Sequence, residues 1–484
     1  MAERPWKFES SRPHHITPIR SRPGDGFGVI PPEEGVTMAE PTQPPRAFGF
    51  WICLALVMGN VIGTGIFLLP ASLAPYGVNA VAGWLVTIAG CLCLAQVFAA
   101  LARAFPEADG PYDYIRPALG APAAFFVMWS YWISTWVTNA AVAIGAVSYL
   151  SSLAPGFFAP FYAGPLTAVA FVILFTAIAT RGAKASGEVQ VATTILKLLP
   201  LIAVVALAAF VWGGGGEADG GLAPAPLQPS SVAAAATLTL WAMLGFESAT
   251  VPSGRVRHPR RTVPRATLAG TFLVGIVYLM VTWAVFLLLP ADEAAKSSAP
   301  LADLVGRYWG SGLAHLVALF AAISALGALN GWVFLQAEVP LALARGGVFP
   351  AAFARLNRAG TPWVGHVLGC TLSCALIASN LSRGMAALFE FMILLATAAT
   401  LVLYLLAALS ALVLRRRGAL GGTLVVATAT AGALFALWTF YGAGLEVTLW
   451  GLALLMSGIP VYLIMRRNLL RSRIVEATSS TAEG

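Results

Sequence analysis

Residues 59–70 read GNVIGTGIFLLP. The stretch lies inside an apolar run from Phe48 to Ala74 that is long enough to cross a bilayer. Three glycines, an Asn and a Thr interrupt this run, and a glycine in a helix interior costs roughly 1 kcal/mol relative to alanine. The interruption predicts a broken helix, whose freed backbone N–H and C=O groups need partners at membrane depth.

The composition predicts an all-α polytopic membrane protein. The chain has 484 residues, of which 58% are hydrophobic and only 10% charged, too apolar for the surface of a soluble protein. Apolar runs of about 20 residues recur along its length, and helices satisfy their own backbone in lipid. Twelve transmembrane helices are predicted, at 48–76, 79–102, 123–150, 160–180, 188–212, 232–254, 266–290, 311–344, 362–380, 387–413, 419–441 and 447–465.

The distribution of positive charge predicts the orientation. One set of alternate loops carries nineteen Lys and Arg residues, whereas the other carries three, Lys296, Arg307 and Arg383. By the positive-inside rule both termini lie in the cytoplasm, and we expect a multi-pass protein of the cell (inner) membrane. The net charge of +8 then needs no nucleic acid. Residues 1–47 are predicted to form a disordered cytoplasmic tail, 48–465 the twelve-helix core, and 466–484 a second cytoplasmic tail.

A second interruption lies in the sixth predicted span. The segment LTLWAMLGFESATVPSG (238–254) places Gly245, Glu247 and Ser248 in an otherwise apolar helix. The two breaks are five helices apart, so the two halves would enter the membrane in opposite orientations. Interrupted helices at matching positions of inverted repeats indicate a transport site near the membrane midplane.

The chemistry of the two breaks predicts an amino acid ligand. A half-helix that begins at Gly65 would offer N–H groups and a positive dipole end to a carboxylate. A half-helix that ends near Leu244 would offer carbonyls to an ammonium group. The alternative is that the glycines only let two helices pack closely.

Five segments carry a resemblance to a known family. They are GNVIGTGIFLLPASLAPYG (59–77), WISTWVTNAAVAIG (132–145), LWAMLGFESATV (240–251), NGWVFLQAE (330–338) and GVFPAAFARLNRAGTP (347–362). They resemble the amino acid/polyamine/organocation (APC) superfamily, and within it the arginine/agmatine antiporter and related basic amino acid/polyamine antiporters. The resemblance implies a LeuT-like 5+5 inverted repeat, with spans 1–5 and 6–10 as its halves, broken helices 1 and 6, and two extra helices. It also implies a possible homodimer, and no cofactor or metal.

The resemblance assigns roles to individual positions. The Thr64 hydroxyl and the Gly65 amide would hold the carboxylate, and the ammonium would meet the carbonyls of Val61, Trp241 and Leu244. Around the substrate side chain the implied residues are Asn139, Trp332, Thr400 and the backbone carbonyls of Ser134 and Thr135. The implied gate residues are Tyr131, Trp241, Glu247 and Tyr404. Val142 and Ala396 replace residues that are polar or sulfur-bearing in the arginine exchanger, so the end of the pocket is altered.

Three ionisable residues at membrane depth are candidates for proton coupling: Lys197, Glu247 and Glu338. A lysine there costs about 2.5–3.5 kcal/mol on insertion scales, so it should face protein. In proton-coupled relatives a lysine in this motif stands where sodium-coupled relatives bind an ion, so the Lys197 ammonium would bond carbonyls near Val61 to Thr64. It could exchange a proton during transport or hold the broken helix as a permanent charge. Glu247 fits a pH sensor at the gate, and Glu338 could instead cap the basic loop that follows it.

These observations favour a secondary transporter. We expect exchange of a cationic, arginine-like amino acid for a related, agmatine-like amine by alternating access, with the small-molecule substrate and the lipid bilayer as partners. The alternative is proton-coupled symport, or a broad-specificity amino acid permease, that uses Lys197. A membrane-embedded enzyme would need a His base or paired acids, and the sequence places no His beside an intramembrane acid, so no enzyme activity is expected.

Overall fold

The computed structural model describes residues 49–105, 108, 110–181, 197–213, 220–223, 225–247, 256, 258–381 and 383–468. Residues 1–47 and most of 466–484, predicted as tails, lie outside this part of the chain. So do Ser248 and the first residues of the fifth predicted span.

The described chain is built from helices. Those of the first half are α1 (Phe50–Val61), α2 (Gly65–Leu73), α3 (Val78–Ala104), α4 (Pro111–Leu119), α5 (Ala121–Leu153), α6 (Pro155–Phe158), α7 (Ala163–Ala179) and α8 (Leu198–Gly213). Those of the second half are α9 (Pro229–Met243), α10 (Pro259–Leu288), α11 (Ala291–Lys296), α12 (Pro300–Trp309), α13 (Ser311–Arg345), α14 (Trp363–Ser379), α15 (Met385–Arg416), α16 (Thr423–Gly442) and α17 (Leu445–Met456). Short 3₁₀ turns lie at Ala74–Tyr76 and Ala351–Ala354.

Several of these helices suit a membrane. In the described residues seven are long and apolar enough to cross one: α3, α5, α10, α13, α15, α16 and the helix from Leu445 to Asn468 that begins with α17. Shorter apolar helices cover Gly65–Tyr76, Ala163–Ala179, Leu198–Gly213 and Trp363–Ala378. The prediction of an all-helical polytopic protein is confirmed, while the count of twelve crossings stays a prediction.

The first predicted helix break is confirmed, and at the second the helix ends as predicted, whereas residues 248–255, which would continue that span, lie outside the described residues. Helix α1 ends at Val61, Ile62 is extended (φ −72°, ψ 92°), and α2 begins at Gly65. Helix α9 ends at Met243, and Leu244 is extended (φ −60°, ψ 143°). Gly245 then has a φ of 103°, a conformation that favours glycine because other residues clash there. Small and polar residues in an apolar run therefore mark the breaks correctly.

The two breaks are embedded among long helices. Helix α5 is the most enclosed of the seven long helices, with 89% of its most apolar window buried, and it packs against α13 and α15. Helix α10 packs against α1 and α3, and α9 packs against α3 and α16. This arrangement surrounds both breaks with protein, which non-helical backbone requires in a bilayer.

Helices α3 and α9 approach closely through small residues. A Cβ added to Gly83 would lie 2.8 Å from the Ala235 Cβ and 3.1 Å from backbone atoms of Ala235 and Ala236. One turn further along α3, the Thr87 and Thr239 hydroxyls share a buried hydrogen bond of 2.8 Å. This contact positions α9, and with it the second break.

We predict that Gly83→Val destabilises the folded protein by roughly 1–3 kcal/mol, because the added methyls overlap the α9 backbone. The control is Gly421→Val, since nothing lies within 4 Å of a Cβ added there. Thermal unfolding in detergent should show a lower Tm for Gly83→Val only. Equal midpoints for the two variants would contradict the proposed close packing.

Candidate functional site

Two side chains hold the carbonyl end of the first break. The Lys197 ammonium donates to the Gly59 carbonyl at 2.7 Å and to the Ile62 carbonyl at 3.0 Å. The Tyr278 hydroxyl of α10 donates to the Val61 carbonyl at 2.7 Å. Carbonyls at a helix C-terminus lack intrahelical partners and carry partial negative charge, so a cation and a hydroxyl both stabilise them. Of the carbonyls expected to bind the Lys197 ammonium, from Val61 to Thr64, it reaches that of Ile62, and it also reaches the Gly59 carbonyl within α1.

The Val61 carbonyl is therefore already a hydrogen-bond acceptor. It was predicted to meet a substrate ammonium, and the Tyr278 hydroxyl uses one of its two lone pairs. The Trp241 carbonyl, predicted for the same role, accepts the Leu244 N–H at 3.1 Å. An ammonium at these two oxygens would have to share them with protein donors.

The N–H end of the first break keeps an unused hydroxyl. Thr64 precedes α2, and its carbonyl accepts the Phe67 N–H at 3.1 Å. Its side chain is buried, and Oγ1 has no hydrogen-bond partner among the described residues. The first N–H groups of any helix lack intrahelical partners, so Thr64 and the start of α2 together offer several donors to an anion.

Gly65 brings the two broken helices into contact. A Cβ added to it would lie 2.7 Å from the Ala242 Cβ and 3.1 Å from the Trp241 ring. Gly65 is thus needed for the approach of α2 to α9, which supports the packing alternative for this residue. The Thr64 hydroxyl and the N-terminus of α2 remain the candidate carboxylate site.

Glu247 joins the second break to two other helices. Its carboxylate accepts hydrogen bonds from the Tyr404 hydroxyl of α15 at 2.9 Å and the Tyr131 hydroxyl of α5 at 3.3 Å. The Gly245 N–H donates to the same carboxylate at 3.2 Å. These three of the four predicted gate residues are buried, and the Phe246 ring lies 5.0 Å from that of Tyr404. Together they form a tight polar and aromatic layer on one side of the break.

A second aromatic layer lies on the other side. The Trp241 and Phe389 rings meet edge to face at 5.4 Å. A Cβ added to Gly145 of α5 would lie 3.1 Å from the Thr64 Cγ2 and 3.3 Å from the Phe389 ring. Phe389 and Tyr404 are fifteen residues apart on α15, or about 22 Å along a helix. The two layers are therefore well separated along α15, with the breaks between them.

Asn139 lies between these layers and has an unpredicted partner. Its Nδ2 donates to the Oε1 of Gln336 on α13 at 2.7 Å, and both side chains are fully buried. Trp332 lies one turn before Gln336 on α13 and is 9% exposed. A Cβ added to Gly63 would touch the Ala328 Cβ at 3.5 Å, so α13 runs from the first break to Asn139.

The remaining residues predicted to lie near the substrate side chain are Ser134, Thr135 and Thr400. Their hydroxyls are buried and bond backbone carbonyls three or four residues earlier. The Ser134 hydroxyl donates to the Tyr131 carbonyl at 2.7 Å, and the Thr135 hydroxyl to the Trp132 carbonyl at 2.6 Å. The Thr400 hydroxyl donates to the Ala396 carbonyl at 2.9 Å. Ser134 and Thr135 lie within the uninterrupted α5, so their own carbonyls belong to helical turns. Each of these hydroxyls already donates its hydrogen to its own helix, so these positions are only weakly polar.

Glu338 stands apart from this site. It is half-buried, whereas every other predicted site residue is buried. It follows Gln336 by two residues on α13 and therefore faces the opposite side of that helix. This placement is more compatible with its alternative role near the basic loop, since Arg345 follows two turns later on the same helix.

Four buried polar atoms of the site have no hydrogen-bond partner in the described part of the chain: Thr64 Oγ1, Asn139 Oδ1, Trp241 Nε1 and Gln336 Nε2. Leaving such an atom unsatisfied costs about 1–3 kcal/mol. They lie on four helices or helix ends that meet around the breaks. A polar ligand that supplies both donors and acceptors would satisfy them.

Three residues of this region were not predicted: Tyr278, Gln336 and Phe389. Gln336 did carry a signal, because it is a polar residue in an apolar span and lies one helical turn from Trp332. Tyr278 and Phe389 resemble the many aromatic residues of the other spans. Only their spatial neighbours distinguish them.

The sequence matches a known family model over most of its length. That model is described as amino acid permease and matches residues 48–463. The chain is 32% identical over 407 residues to a putative arginine/ornithine antiporter of Bacillus subtilis (strain 168), covering 76% of this chain and 85% of the relative. It is 34% identical over 344 residues to the cadaverine/lysine antiporter of Escherichia coli (strain K12), covering 69% and 74%. It is 27% identical over 411 residues to the putrescine transporter PotE of Escherichia coli (strain K12), covering 84% and 93%.

We predict that Gly65→Ala abolishes most transport, because its methyl group would separate α2 from α9. The matched control is Gly63→Ala in the same break, whose methyl would make only an ordinary contact at 3.5 Å. Substrate uptake into proteoliposomes measures both variants, with thermal unfolding to show that they fold. Equal uptake by the two variants would contradict the need for this contact.

Proposed function

The chain belongs to the amino acid permease family, and on this basis we propose that it is an antiporter that exchanges basic amino acids and amines across the membrane. The family is one of transporters, so the chain is not an enzyme. The relatives described above are antiporters or transporters of arginine/ornithine, cadaverine/lysine and putrescine by name. These substrates share an ammonium or guanidinium group at the end of a flexible apolar stem.

The main observation in support of this proposal is a set of polar atoms between the two aromatic layers that have no hydrogen-bond partner among the described residues. Thr64 Oγ1 and the α2 N-terminus offer donors to a carboxylate. Asn139 Oδ1 offers an acceptor to a distant N–H group. Trp332, one turn from Gln336 on α13, would cover a cationic group by cation–π contact, an interaction worth about 1–2 kcal/mol when desolvated. The arrangement suits a ligand with a carboxylate at one end and a cation at the other.

The two helix breaks support a LeuT-like arrangement of inverted halves. We infer twelve crossings, with spans 1–5 and 6–10 as the repeats and both termini in the cytoplasm. Seven long and several shorter apolar helices, together with the breaks five predicted spans apart, support this architecture. The cell (inner) membrane of a bacterium is the location that suits the relatives and the distribution of charge.

The aromatic layers suggest how access alternates. With the positive-inside orientation, the Glu247–Tyr404–Tyr131 layer faces the cytoplasm and the Trp241–Phe389 layer faces outward. Each layer links helices from different parts of the chain, so opening one requires breaking its hydrogen bonds or ring contacts. We propose that substrate on either side stabilises the state in which both layers close over it. The hydrogen bonds within one layer and the ring contact within the other support this proposal.

Arginine and agmatine as the exchanged pair form the narrowest version of this proposal. The Thr64 hydroxyl and the helix ends at the two breaks support an α-amino acid, and Asn139 with Trp332 supports a cationic side chain. Val142 and Ala396 make the far wall apolar, which would suit the stems of ornithine, lysine and diamines equally well.

Lys197 favours a second candidate, proton-coupled uptake. Its ammonium bridges the Gly59 and Ile62 carbonyls, so losing its proton would weaken the hold on the break. A transporter in which this change accompanies each cycle would move protons with substrate. If the charge is permanent, Lys197 acts only as a structural support of the broken helix.

Counter-substrate dependence separates the two candidates. We predict that uptake of labelled arginine, ornithine or lysine into proteoliposomes requires a basic amino acid or amine inside. The control is the same vesicles with an empty lumen and an imposed proton gradient. Uptake that follows the gradient into empty vesicles would contradict exchange and favour coupling through Lys197. Failure to move any of these substrates would contradict the proposed substrate class.

We further predict that Glu247→Gln flattens the pH dependence of exchange, since the amide keeps the shape of the side chain but cannot gain or lose a proton. The titratable groups that face this carboxyl are Tyr131, Tyr404, Tyr114 and Cys91, on four different helices. Glu338→Gln is the matched control, because Glu338 is half-buried and lies on the side of α13 opposite to Gln336, away from the site. Initial rates measured from pH 5 to pH 8 give both profiles, and an unchanged profile in Glu247→Gln would exclude the gate as the pH sensor.

A further inference from the structure

The Asn139–Gln336 contact is a buried pair of primary amides whose hydrogen bonding is incomplete. Asn139 Nδ2 donates to Gln336 Oε1 at 2.7 Å. The other polar atom of each amide, Asn139 Oδ1 and Gln336 Nε2, has no hydrogen-bond partner among the residues that the structure describes. Both side chains are 0% exposed. The pair therefore retains one acceptor and one donor.

This balance does not depend on the direction of the bond. An amide oxygen accepts and an amide nitrogen donates, so a single hydrogen bond between two amides leaves one oxygen and one nitrogen unpaired. If both amides were rotated, Gln336 would donate to Asn139, and a free acceptor and a free donor would again remain. The pair can thus bind an N–H group and a C=O group at once.

We propose, on the basis of the antiporter function above, that Gln336 determines specificity by orienting Asn139 and by binding the end of the substrate side chain with it. An N–H of an ammonium or guanidinium group bonds the free amide oxygen. A C=O of a ureido or carboxamide group bonds the free amide nitrogen. The substrate class therefore includes cationic amino acids and neutral ones of the same length whose side chains end in an amide or urea.

The surroundings of Gln336 hold it in this position. The Gln336 backbone carbonyl accepts a hydrogen bond from the Trp132 Nε1–H at 2.9 Å, which connects the α13 backbone to α5. Gly369 of α14 leaves space for its side chain, since a Cβ added there would lie 2.4 Å from Gln336 Oε1. Gly365, one turn earlier on α14, packs instead against Ala337. A Cβ added to Gly365 would lie 2.9 Å from the Ala337 Cα. Gly369 thus places the amide, and Gly365 only packs the two helices.

The first test compares ligands of different length by competition binding to the purified protein. The ligands are arginine, its urea analogue citrulline, and the shortest amino acid that the wild type binds. Gln336→Met should weaken arginine and citrulline about tenfold, the worth of one or two hydrogen bonds, and leave the short ligand unchanged. Gln336→Glu keeps an oxygen that accepts from Asn139 whether or not the carboxyl is ionised, and should restore arginine binding.

The second test moves Gln336 without changing it. Gly369→Ala should displace the Gln336 amide and reproduce the length-dependent loss seen with Gln336→Met. Gly365→Ala adds the same methyl to the same helix interface, and should leave the ratio of arginine to short-ligand affinity as in the wild type. Because both variants disturb packing, a difference between them reports the amide and not general destabilisation.

The third test asks whether Gln336 acts through Asn139. In an Asn139→Ala background, adding Gln336→Met should cause little further loss of arginine affinity. Full additivity would overturn the proposal, as would unchanged arginine and citrulline binding in Gln336→Met. A wild type that binds neither long nor short amino acids would instead overturn the antiporter function itself.

Discussion

The structure depends on satisfying backbone carbonyls where a helix stops inside an apolar environment. The last carbonyls of α1 face no further helical turn, and Lys197 and Tyr278 supply the missing donors from two other parts of the chain. With these bonds in place, the chain can turn at Ile62 and start α2 in a new direction. The contact of Gly65 with Ala242 and the position of Thr64 both follow from that turn.

The proposed site would recognise charge mainly through neutral groups. The two fully ionisable side chains beside the breaks, Lys197 and Glu247, already have protein partners. Instead, helix ends, hydroxyls and amides lie between the two aromatic layers. Neutral groups bind a charged ligand less tightly than an opposite charge would, and they keep no strong field when it leaves. Such a site suits a protein that must release its ligand on the far side in every cycle.

Much of the fold could be predicted from local sequence, but the pairing across helices could not. The first break was predictable because Gly59, Gly63 and Gly65 interrupt an apolar run. The gate residues were predicted only from the resemblance to a known family. Gln336 and Tyr278 were missed because α13 and α10 are apolar on most sides. Hydrophobicity then shows the depth of a residue in the membrane, whereas it does not show which helix the residue faces. The bonds that they form join residues 197 and 217 positions apart.

Helix α15 carries one member of each aromatic layer on a single uninterrupted rod of 32 residues, with Phe389 near one end and Tyr404 beyond its middle. When a rod tilts about a point between two of its residues, those residues move in opposite directions. A tilt that draws Phe389 away from Trp241 therefore presses Tyr404 toward Glu247, and the reverse tilt does the opposite. Under the proposed alternating access, rigid-body tilting of α15 would therefore couple the two layers, so that opening one of them compresses the other.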